Sequence, residues 1–201
     1  MRSLLLPIVF VTFLSSCQTN PFKTNSSKSA ALYTPLETTC CAQTSTEELK
    51  LYNLLNEYRV KNGLPKIPLS PSLNYVAQTH ARDLSENPPK GKCNMHSWSS
   101  SGKWSGCCYT SDHAQAQCMW NKPRELTGYP GNGYENAYRV TSEYKKLSAM
   151  SAINSWKKSR GHNAVILNQG IWNDHHWQAI GVGIYSNYAV LWFGNETDPA
   201  K

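Results

Sequence analysis

The sequence has few charged residues and no long hydrophobic run, and both absences narrow what the chain can be. Charged residues make up 16% of its 201 residues, against 40% hydrophobic and 11% aromatic, so the chain can bury a core and is not wholly disordered. Its apolar run from Leu4 to Leu14 is broken by Pro7 and Thr12 and is shorter than the roughly 20 residues of a membrane-spanning helix. We therefore expect one folded domain, or two small ones at most, rather than a membrane-spanning chain.

Several motifs of catalysis and of metal or nucleic-acid binding are also missing. The chain contains no G-x-S-x-G, H-E-x-x-H or C-x-x-C, which argues against a nucleophile-elbow hydrolase, a zincin protease and a zinc-thiolate site. The formal charge of +7 suits an anionic surface, but the basic residues are scattered and no recognition motif accompanies them. We expect no nucleic-acid partner.

The N-terminus has the layout of a secretion signal. Arg2 precedes the apolar run, and Leu14-Ser15-Ser16-Cys17 looks like a bacterial lipobox, in which the acylated cysteine becomes the new N-terminus. We predict a signal peptide and lipobox over residues 1–17, a tether over 18–44 and a domain over 45–201. Acylated Cys17 would anchor the protein in the cell envelope, at the outer membrane or the periplasmic face. An ordinary signal peptide is the alternative.

Six further cysteines predict a disulfide framework. An even number in an oxidising compartment favours three disulfides. Six cysteines allow 15 pairings, and ten remain when bonds between sequence neighbours are discarded, among which the sequence does not choose. Zinc-thiolate binding is the alternative, although adjacent cysteines ligate one tetrahedral ion poorly. The six are Cys40, Cys41, Cys93, Cys107, Cys108 and Cys118.

Capping signals predict two helices at the start of the domain. Ser45 and Glu48 form a capping box for a helix over about 46–62, and Ser70 with a following proline begins a second helix. The apolar residues of this second helix repeat at helical spacing and form one face. His80 lies on that face, where a core histidine with satisfied hydrogen bonds is favoured over a metal ligand.

The remainder of the domain is predicted to mix loops, helix and strands. A cysteine-rich stretch runs to Gly133, and a helix is expected from about Ser142 to Arg160, ended by Gly161. Two β-rich runs, 179–185 and 188–193, are separated by two residues, which is typical of a tight hairpin. This order of elements predicts an α+β fold.

Four residues are candidates for a functional site. His96, Glu135 and His162 carry side chains that can ligate zinc, with room for a water in the remaining position. Ser159 lies three residues after Trp156 and three before His162. Taken singly, each is better explained as a surface or capping polar residue.

Together these segments resemble the CAP superfamily of cysteine-rich secretory, antigen 5 and pathogenesis-related-one proteins, in its bacterial lipoprotein form. The resemblance runs in order over roughly residues 47–199. It rests on Leu54-Leu-Asn-Glu-Tyr-Arg59, Asn62-Gly63-Leu64, the second helix, His96, Glu135-Asn136, Trp156-Lys-Lys-Ser-Arg-Gly-His162, Gly181-Val-Gly183 and Trp192-Phe-Gly194.

The resemblance implies an α-β-α sandwich with a small antiparallel sheet between helices, and a cleft where two histidines and two acidic residues can bind zinc or another divalent metal. His96 and His162 match the two histidines, and Glu135 matches the first acidic residue. Ser159 stands at the second acidic position, as in similar bacterial sequences. A hydroxyl is a poorer zinc ligand than a carboxylate, which puts metal affinity in question.

We expect a binding module at the cell envelope rather than an enzyme. We expect a monomer, and the resemblance implies that it binds a metal, a lipid or sterol, or an envelope protein, with no shared catalytic activity. The alternative is a hydrolase, either metal-dependent or of the Ser/His type, with Glu135, Ser159 and His162 as the candidate catalytic residues. A purely structural envelope role is a third possibility.

Overall fold

The computed structural model describes residues 43–200 of the chain. The predicted signal peptide, the lipidation site Cys17 and nearly all of the tether lie outside the described residues, so the division of the chain into these segments stays a prediction. No helix between residues 43 and 200 combines the length and the apolar character that crossing a membrane requires. The elements are α1 (Thr46–Lys61), α2 (Pro71–Glu86), α3 (Ala116–Trp120), α4 (Lys122–Leu126), β1 (Tyr134–Arg139), α5 (Ala149–Lys158), α6 (Arg160–Ile166), β2 (Ala179–Tyr185) and β3 (Tyr188–Gly194).

Helices α1 and α2 begin where their capping residues predict. The Ser45 hydroxyl accepts a hydrogen bond from the N–H of Glu48, and the Glu48 carboxylate accepts one from the N–H of Ser45. Ser70 caps α2 by accepting from the N–H of Leu73, and a proline occupies the first turn. Both helices are confirmed, and the predicted apolar face of α2 is buried with His80 on it.

The helix expected from Ser142 begins later than predicted. Residues 142–147 form turns and loop, and α5 starts at Ala149 because Ser148 caps it. In addition, the Glu47 carboxylate on α1 accepts a hydrogen bond from the Ala149 N–H at 2.6 Å. A capping partner that lies about 100 positions away along the chain gives no local sequence signal.

The same predicted helix ends before Gly161, which is not its stop. Ser159 leaves helical geometry with φ −87° and ψ 117°, and the chain then restarts as α6 with Gly161 inside it. The break at Ser159 turns α6 away from the line of α5 and so sets the direction of His162, which lies in the first turn of α6.

Three antiparallel strands form the sheet in the order β1-β3-β2. The hairpin predicted at the end of the domain is confirmed, and it turns at Ser186, whose φ is +54°. The sequence does not predict β1, which pairs with β3 so that Glu135 lies opposite Trp192. Strand β1 therefore presents the Glu135-Asn136 pair from the edge of the sheet.

Apolar side chains cover both faces of the sheet. Residues such as Val182, Leu191 and Phe193 pack with α1 and α5 on one face, whereas Val190 and Trp192 pack with α2 and the cysteine-rich loop on the other. Helices thus enclose a three-stranded antiparallel sheet, and the predicted α+β fold, an α-β-α sandwich, is confirmed.

Two glycines allow α2 to lie directly on β2. A Cβ atom at Gly181 would come within 2.0 Å of the Leu73 carbonyl oxygen, and one at Gly183 within 2.2 Å of the Ala77 carbonyl group. Only residues without a side chain permit this approach. His80 follows Ala77 by almost one helical turn, so the close packing of α2 also sets the depth of His80 in the fold.

Two disulfides hold the cysteine-rich loop, Cys93–Cys108 and Cys107–Cys118. Each of the ten pairings left open by the sequence joins Cys40 and Cys41 to two of these four cysteines. All ten of these pairings are therefore wrong, because Cys93, Cys107, Cys108 and Cys118 bond to one another. The zinc-thiolate alternative is wrong for these four cysteines as well, since their sulfur atoms are in disulfides. Cys40 and Cys41 lie outside the described residues. Cys108 bonds to a cysteine earlier in the chain and Cys107 to one later in the chain, so the two disulfides close overlapping segments of the loop.

Candidate functional site

The site is organised around the carboxylate of Glu135, whose side chain is completely buried. Its Oε1 contacts Nδ1 of His80 on α2, and its Oε2 lies 2.6 Å from Nδ1 of His96 in the cysteine-rich loop. One carboxylate from the edge strand thus joins a helix and a loop that are far apart in the sequence. Both of its oxygens are engaged by imidazoles.

His80 is enclosed on all sides by the protein. Its residue surface is 0% exposed, its Nε2 lies 2.9 Å from the Ser97 carbonyl oxygen, and its ring stacks on Trp98 at 4.2 Å with an interplanar angle of 5°. The edge of Trp192 closes the site from the sheet. His80 is therefore a core histidine with satisfied hydrogen bonds, as predicted.

His96 reaches the site from the disulfide-bonded loop. The Asn94 side chain accepts a hydrogen bond from the His96 N–H at 2.9 Å, and the Tyr109 ring meets the imidazole edge-on at 5.3 Å. The Cys93–Cys108 bond closes the loop between the neighbours of these two residues. Because its side chain is 24% exposed, His96 borders solvent while His80 does not.

His162 and Ser159 lie together at the junction of α5 and α6. Nδ1 of His162 is 2.9 Å from the Ser159 hydroxyl oxygen. The Asn136 side chain donates a hydrogen bond to the His162 carbonyl oxygen at 3.0 Å, which ties α6 to the strand that carries Glu135. The structure therefore brings the four predicted site residues into two contacting pairs, His96 with Glu135 and Ser159 with His162. The hydrogen bond from Asn136 to His162 connects the strand of the first pair with the helix of the second.

The ionisable groups of the site act on one another. Burial opposes ionisation of Glu135, but the charge of His80 and the hydrogen bonds from His80 and His96 outweigh it and lower the pKa of this carboxyl group. Burial lowers the pKa of His162, the charge of His96 lowers it further, and the charge of Glu135 opposes both. Burial and Glu135 together raise the pKa of the Tyr109 phenol.

The donor set differs from the one expected of two histidines and two carboxylates. Between residues 43 and 200, no three or more His, Cys, Asp or Glu side chains are grouped in a way that holds a metal ion. The Glu135 oxygens are already engaged by two imidazoles, and Ser159 contributes a hydroxyl. In the same part of the chain, Nε2 of His96 and Nε2 of His162 have no hydrogen-bond partner, so these two atoms are the available donors.

His80 is the site residue whose role sequence reasoning missed. The sequence places it correctly in the core, but nothing local indicates that its partner is Glu135, which lies 55 positions away. The available signal is one polar residue within an otherwise apolar face of α2, which requires a buried partner. Glu135 is the acidic residue of the predicted site and is therefore the natural candidate for that partner.

Comparisons with known proteins agree on the family and the fold. The profile of the family described as CAP, cysteine-rich secretory protein family, matches residues 52–190. An extracellular protein containing a SCP domain from Bacillus anthracis is similar in structure, with a TM-score of 0.53 and 19% identity over 75% of this chain. This chain covers only 40% of that protein's length. No curated protein sequence matches the chain.

A second similar structure has nearly the same extent as the domain. An outer surface protein from Borrelia burgdorferi aligns with a TM-score of 0.52 and 16% identity, over 77% of this chain and 96% of that one. At these identities the two structures bear on the fold alone, whereas the profile match extends over more than half of the chain. The chain belongs to the cysteine-rich secretory protein (CAP) family.

Proposed function

We propose that this chain is an extracytoplasmic binding module whose cleft holds a divalent metal ion through Nε2 of His96 and Nε2 of His162. One observation carries the proposal: each ring has its Nδ1 engaged by an oxygen, of Glu135 in one case and of Ser159 in the other, and its Nε2 left without a partner among residues 43–200. Metal-binding histidines typically have their second nitrogen held in this way.

The chemistry of the donors fits a weak, open site. Two imidazoles suit zinc and neighbouring transition metals, but a protein site of high affinity has three or four ligands. Here Glu135 holds His96 in place instead of binding the metal. A metal held by two imidazoles would keep several positions for water or for oxygen atoms of a bound molecule, which suits capture of a ligand at the cleft.

Calorimetric titration of the metal-stripped protein with zinc should give one site that depends on both histidines. His96→Ala and His162→Ala are each expected to weaken binding by at least about tenfold, since even loss of a ligand's outer partner costs 10–100-fold. His176→Ala is the matched control, because His176 is exposed and only its backbone N–H is hydrogen-bonded. If both site variants bind zinc as tightly as the wild type, the proposed metal site at His96 and His162 is wrong.

Location at the cell envelope is supported by the lipobox-like sequence and by the fold neighbours, one named as extracellular and one as an outer surface protein. Anchoring through acylated Cys17 is part of the proposal and rests on the sequence alone. A lipid, a sterol or an envelope protein as the physiological ligand likewise remains a prediction.

A Ser/His hydrolase is the second candidate, favoured by the 2.9 Å contact between the Ser159 hydroxyl and His162 Nδ1. Burial lowers the pKa of His162, so the ring is neutral at neutral pH and able to accept the serine proton. Against it, no residue in the described part of the chain hydrogen-bonds His162 Nε2 to orient the ring, as a triad requires.

A fluorophosphonate probe separates the two candidates. If Ser159 is a nucleophile, the wild-type protein is labelled, Ser159→Ala loses the label, and Ser142→Ala, at an exposed loop position, keeps it. On the binding-module proposal, the wild type and Ser159→Ala give the same signal. Labelling that depends on Ser159 would therefore replace the proposed function by a hydrolase.

A further inference from the structure

A groove of about 810 Å³ runs along the side of α2 that faces away from its buried apolar residues. It is lined by α2, by the part of the cysteine-rich loop that carries Trp104, by the end of β2 and by the first residues of the domain. None of the four predicted site residues lines it. Its volume is that of a ligand-binding site, and its position separates it from the cleft of the proposed metal.

We propose that this groove binds an oligosaccharide of uncharged sugars, which stacks on Trp104 and Tyr75 and hydrogen-bonds to side chains of α2. The groove is a second site, so the proposal does not rest on the metal ion. The lining residues of α2 run from Tyr75 to Glu86, a length of about 16 Å along the helix axis. A chain of sugars fits this length better than a single sugar does.

The two buried carboxylates that line the groove are satisfied within the protein. Glu48 accepts hydrogen bonds from three N–H groups, one of them on the side chain of Gln78. Asp83 accepts from the backbone N–H of Ser99 at 2.8 Å and from the side chain of Asn87 at 3.1 Å. Since their oxygens already have partners, neither carboxylate is free to bind a cationic ligand.

The two exposed charges of the groove pair with each other. Nη1 of Arg82 lies 3.9 Å from Oε1 of Glu86, and the Arg82 guanidinium lies 4.7 Å from the centroid of the Tyr185 ring. The Tyr185 hydroxyl donates a hydrogen bond to the same Glu86 oxygen at 3.3 Å. Among the described residues, no side chain that lines the groove carries an unpaired charge, which disfavours both an anion and a polyamine as the ligand.

The polar groups that remain available in the groove are uncharged. Between residues 43 and 200, the hydroxyls of Tyr75 and Thr79 and the side-chain oxygen of Gln78 have no hydrogen-bond partner. These residues lie three or four positions apart on α2 and therefore on the same side of the helix. Hydroxyls donate and accept, and an amide oxygen accepts, so the set matches the hydroxyl groups of a sugar.

The Trp104 ring is a fixed, half-buried aromatic surface of the groove. Its indole N–H donates to the Ser99 carbonyl oxygen at 2.9 Å, and its ring meets that of Trp98 edge-on at 5.4 Å. A Cβ atom at Gly102 would come within 2.1 Å of the ring, so the ring lies directly against Gly102. The face of an aromatic ring is electron-rich and attracts the C–H groups of a sugar, and a ring already fixed in place loses little freedom when it binds.

A peptide strand is disfavoured as the ligand, because the edge of β2 beside the groove is closed. The Val182 N–H donates to the Asn74 side chain at 2.7 Å. The Ile184 N–H donates to Glu48 at 2.9 Å. A peptide that extends a sheet requires such outward N–H groups to be free. Aromatic rings and uncharged hydrogen-bonding groups are what the groove has left to offer a ligand.

Calorimetric titration of the full-length protein with the tetramer of N-acetylglucosamine tests the proposal. We expect one site, with the same affinity in the presence of zinc and of a chelator. Trp104→Ala and Tyr75→Ala should each weaken binding by at least about tenfold, since each removes a stacking surface. Tyr144→Ala is the matched control, because Tyr144 is 97% exposed and lies outside the groove. No binding of the tetramer, or equal binding by all three variants, would overturn the proposal.

A second measurement needs no variant to fold. In ¹H–¹⁵N spectra of the wild type, the tetramer should shift the indole signal of Trp104 and the side-chain amide signal of Gln78. The indole signal of Trp156, which is buried in the core, should stay in place. If tetralysine or decanoate shifts the Trp104 and Gln78 signals while the tetramer does not, the groove binds a peptide or a lipid and the proposal is wrong.

Discussion

Replacement of Glu135 by glutamine should lower the free energy of unfolding by about 3–5 kcal/mol, the cost of removing one partner from a buried ion pair. The substitution keeps the size of the side chain but removes the negative charge that faces His80, which is completely buried. The amide can also present its N–H₂ group to an imidazole N–H, which opposes donor to donor. Urea unfolding followed by tryptophan fluorescence measures the change.

At acidic pH, the free energies of unfolding of the wild type and of Glu135→Gln should become more similar. The pKa of Glu135 is lower in the folded protein than its ordinary value of 4.5, so below about pH 4.5 the unfolded chain binds a proton that the folded protein does not. The contribution of Glu135 is therefore complete above that pH and is lost as the pH falls towards the folded pKa. Glu143→Gln, in an exposed loop, is the control and should change stability by less than about 0.5 kcal/mol. A Glu135→Gln protein as stable as this control would contradict the buried pair.

Substitution of Gly183 by alanine should destabilise the domain by about 3 kcal/mol, at the upper end of the cost of overpacking a core. The added Cβ would meet the Ala77 backbone at 2.2 Å, and backbone cannot rotate away as a side chain can. Helix α2 must therefore move off β2. Because His80 lies less than one turn beyond Ala77, the same movement separates His80 from Glu135, so the ¹⁵N signals of the His80 ring should shift while the stability falls.

Gly128 provides the matched control for this substitution. A Cβ at Gly128 has no atom within 4 Å, so Gly128→Ala should alter the free energy of unfolding by less than about 0.5 kcal/mol and leave the His80 signals in place. Equal effects of the two substitutions would mean that the close packing of α2 on β2 does not set the position of His80.

Elements with strong local signals are the ones that the sequence predicts correctly. The capping box at Ser45, the serine and proline at the start of α2 and the two-residue turn before β3 are local, and the structure confirms each of them. Strand β1 is different, since its residues Glu135 and Asn136 are polar and become buried only through partners on α2, in the loop and on α6. Local periodicity cannot reveal such burial.

In the candidate site, too, the sequence indicates which residues take part but not the long-range contacts between them. The four residues were identified by their order along the chain, and the structure places them in two contacting pairs. The pairing of Glu135 with His80 and the disulfide connectivity depend on the tertiary fold, because both join residues brought together only by the packing of α2 and the loop. These long-range contacts engage both oxygens of Glu135, the carboxylate that the family resemblance implies as a metal ligand.

The most direct test of the proposed metal site is a zinc titration followed by the ¹⁵N signals of the imidazole nitrogens of all histidines. We predict that one equivalent of zinc shifts Nε2 of His96 and Nε2 of His162 together, while both ring nitrogens of His80 remain unshifted. Zinc-dependent shifts confined to other histidines, or a shift of only one of these two rings, would contradict a shared cleft organised by Glu135.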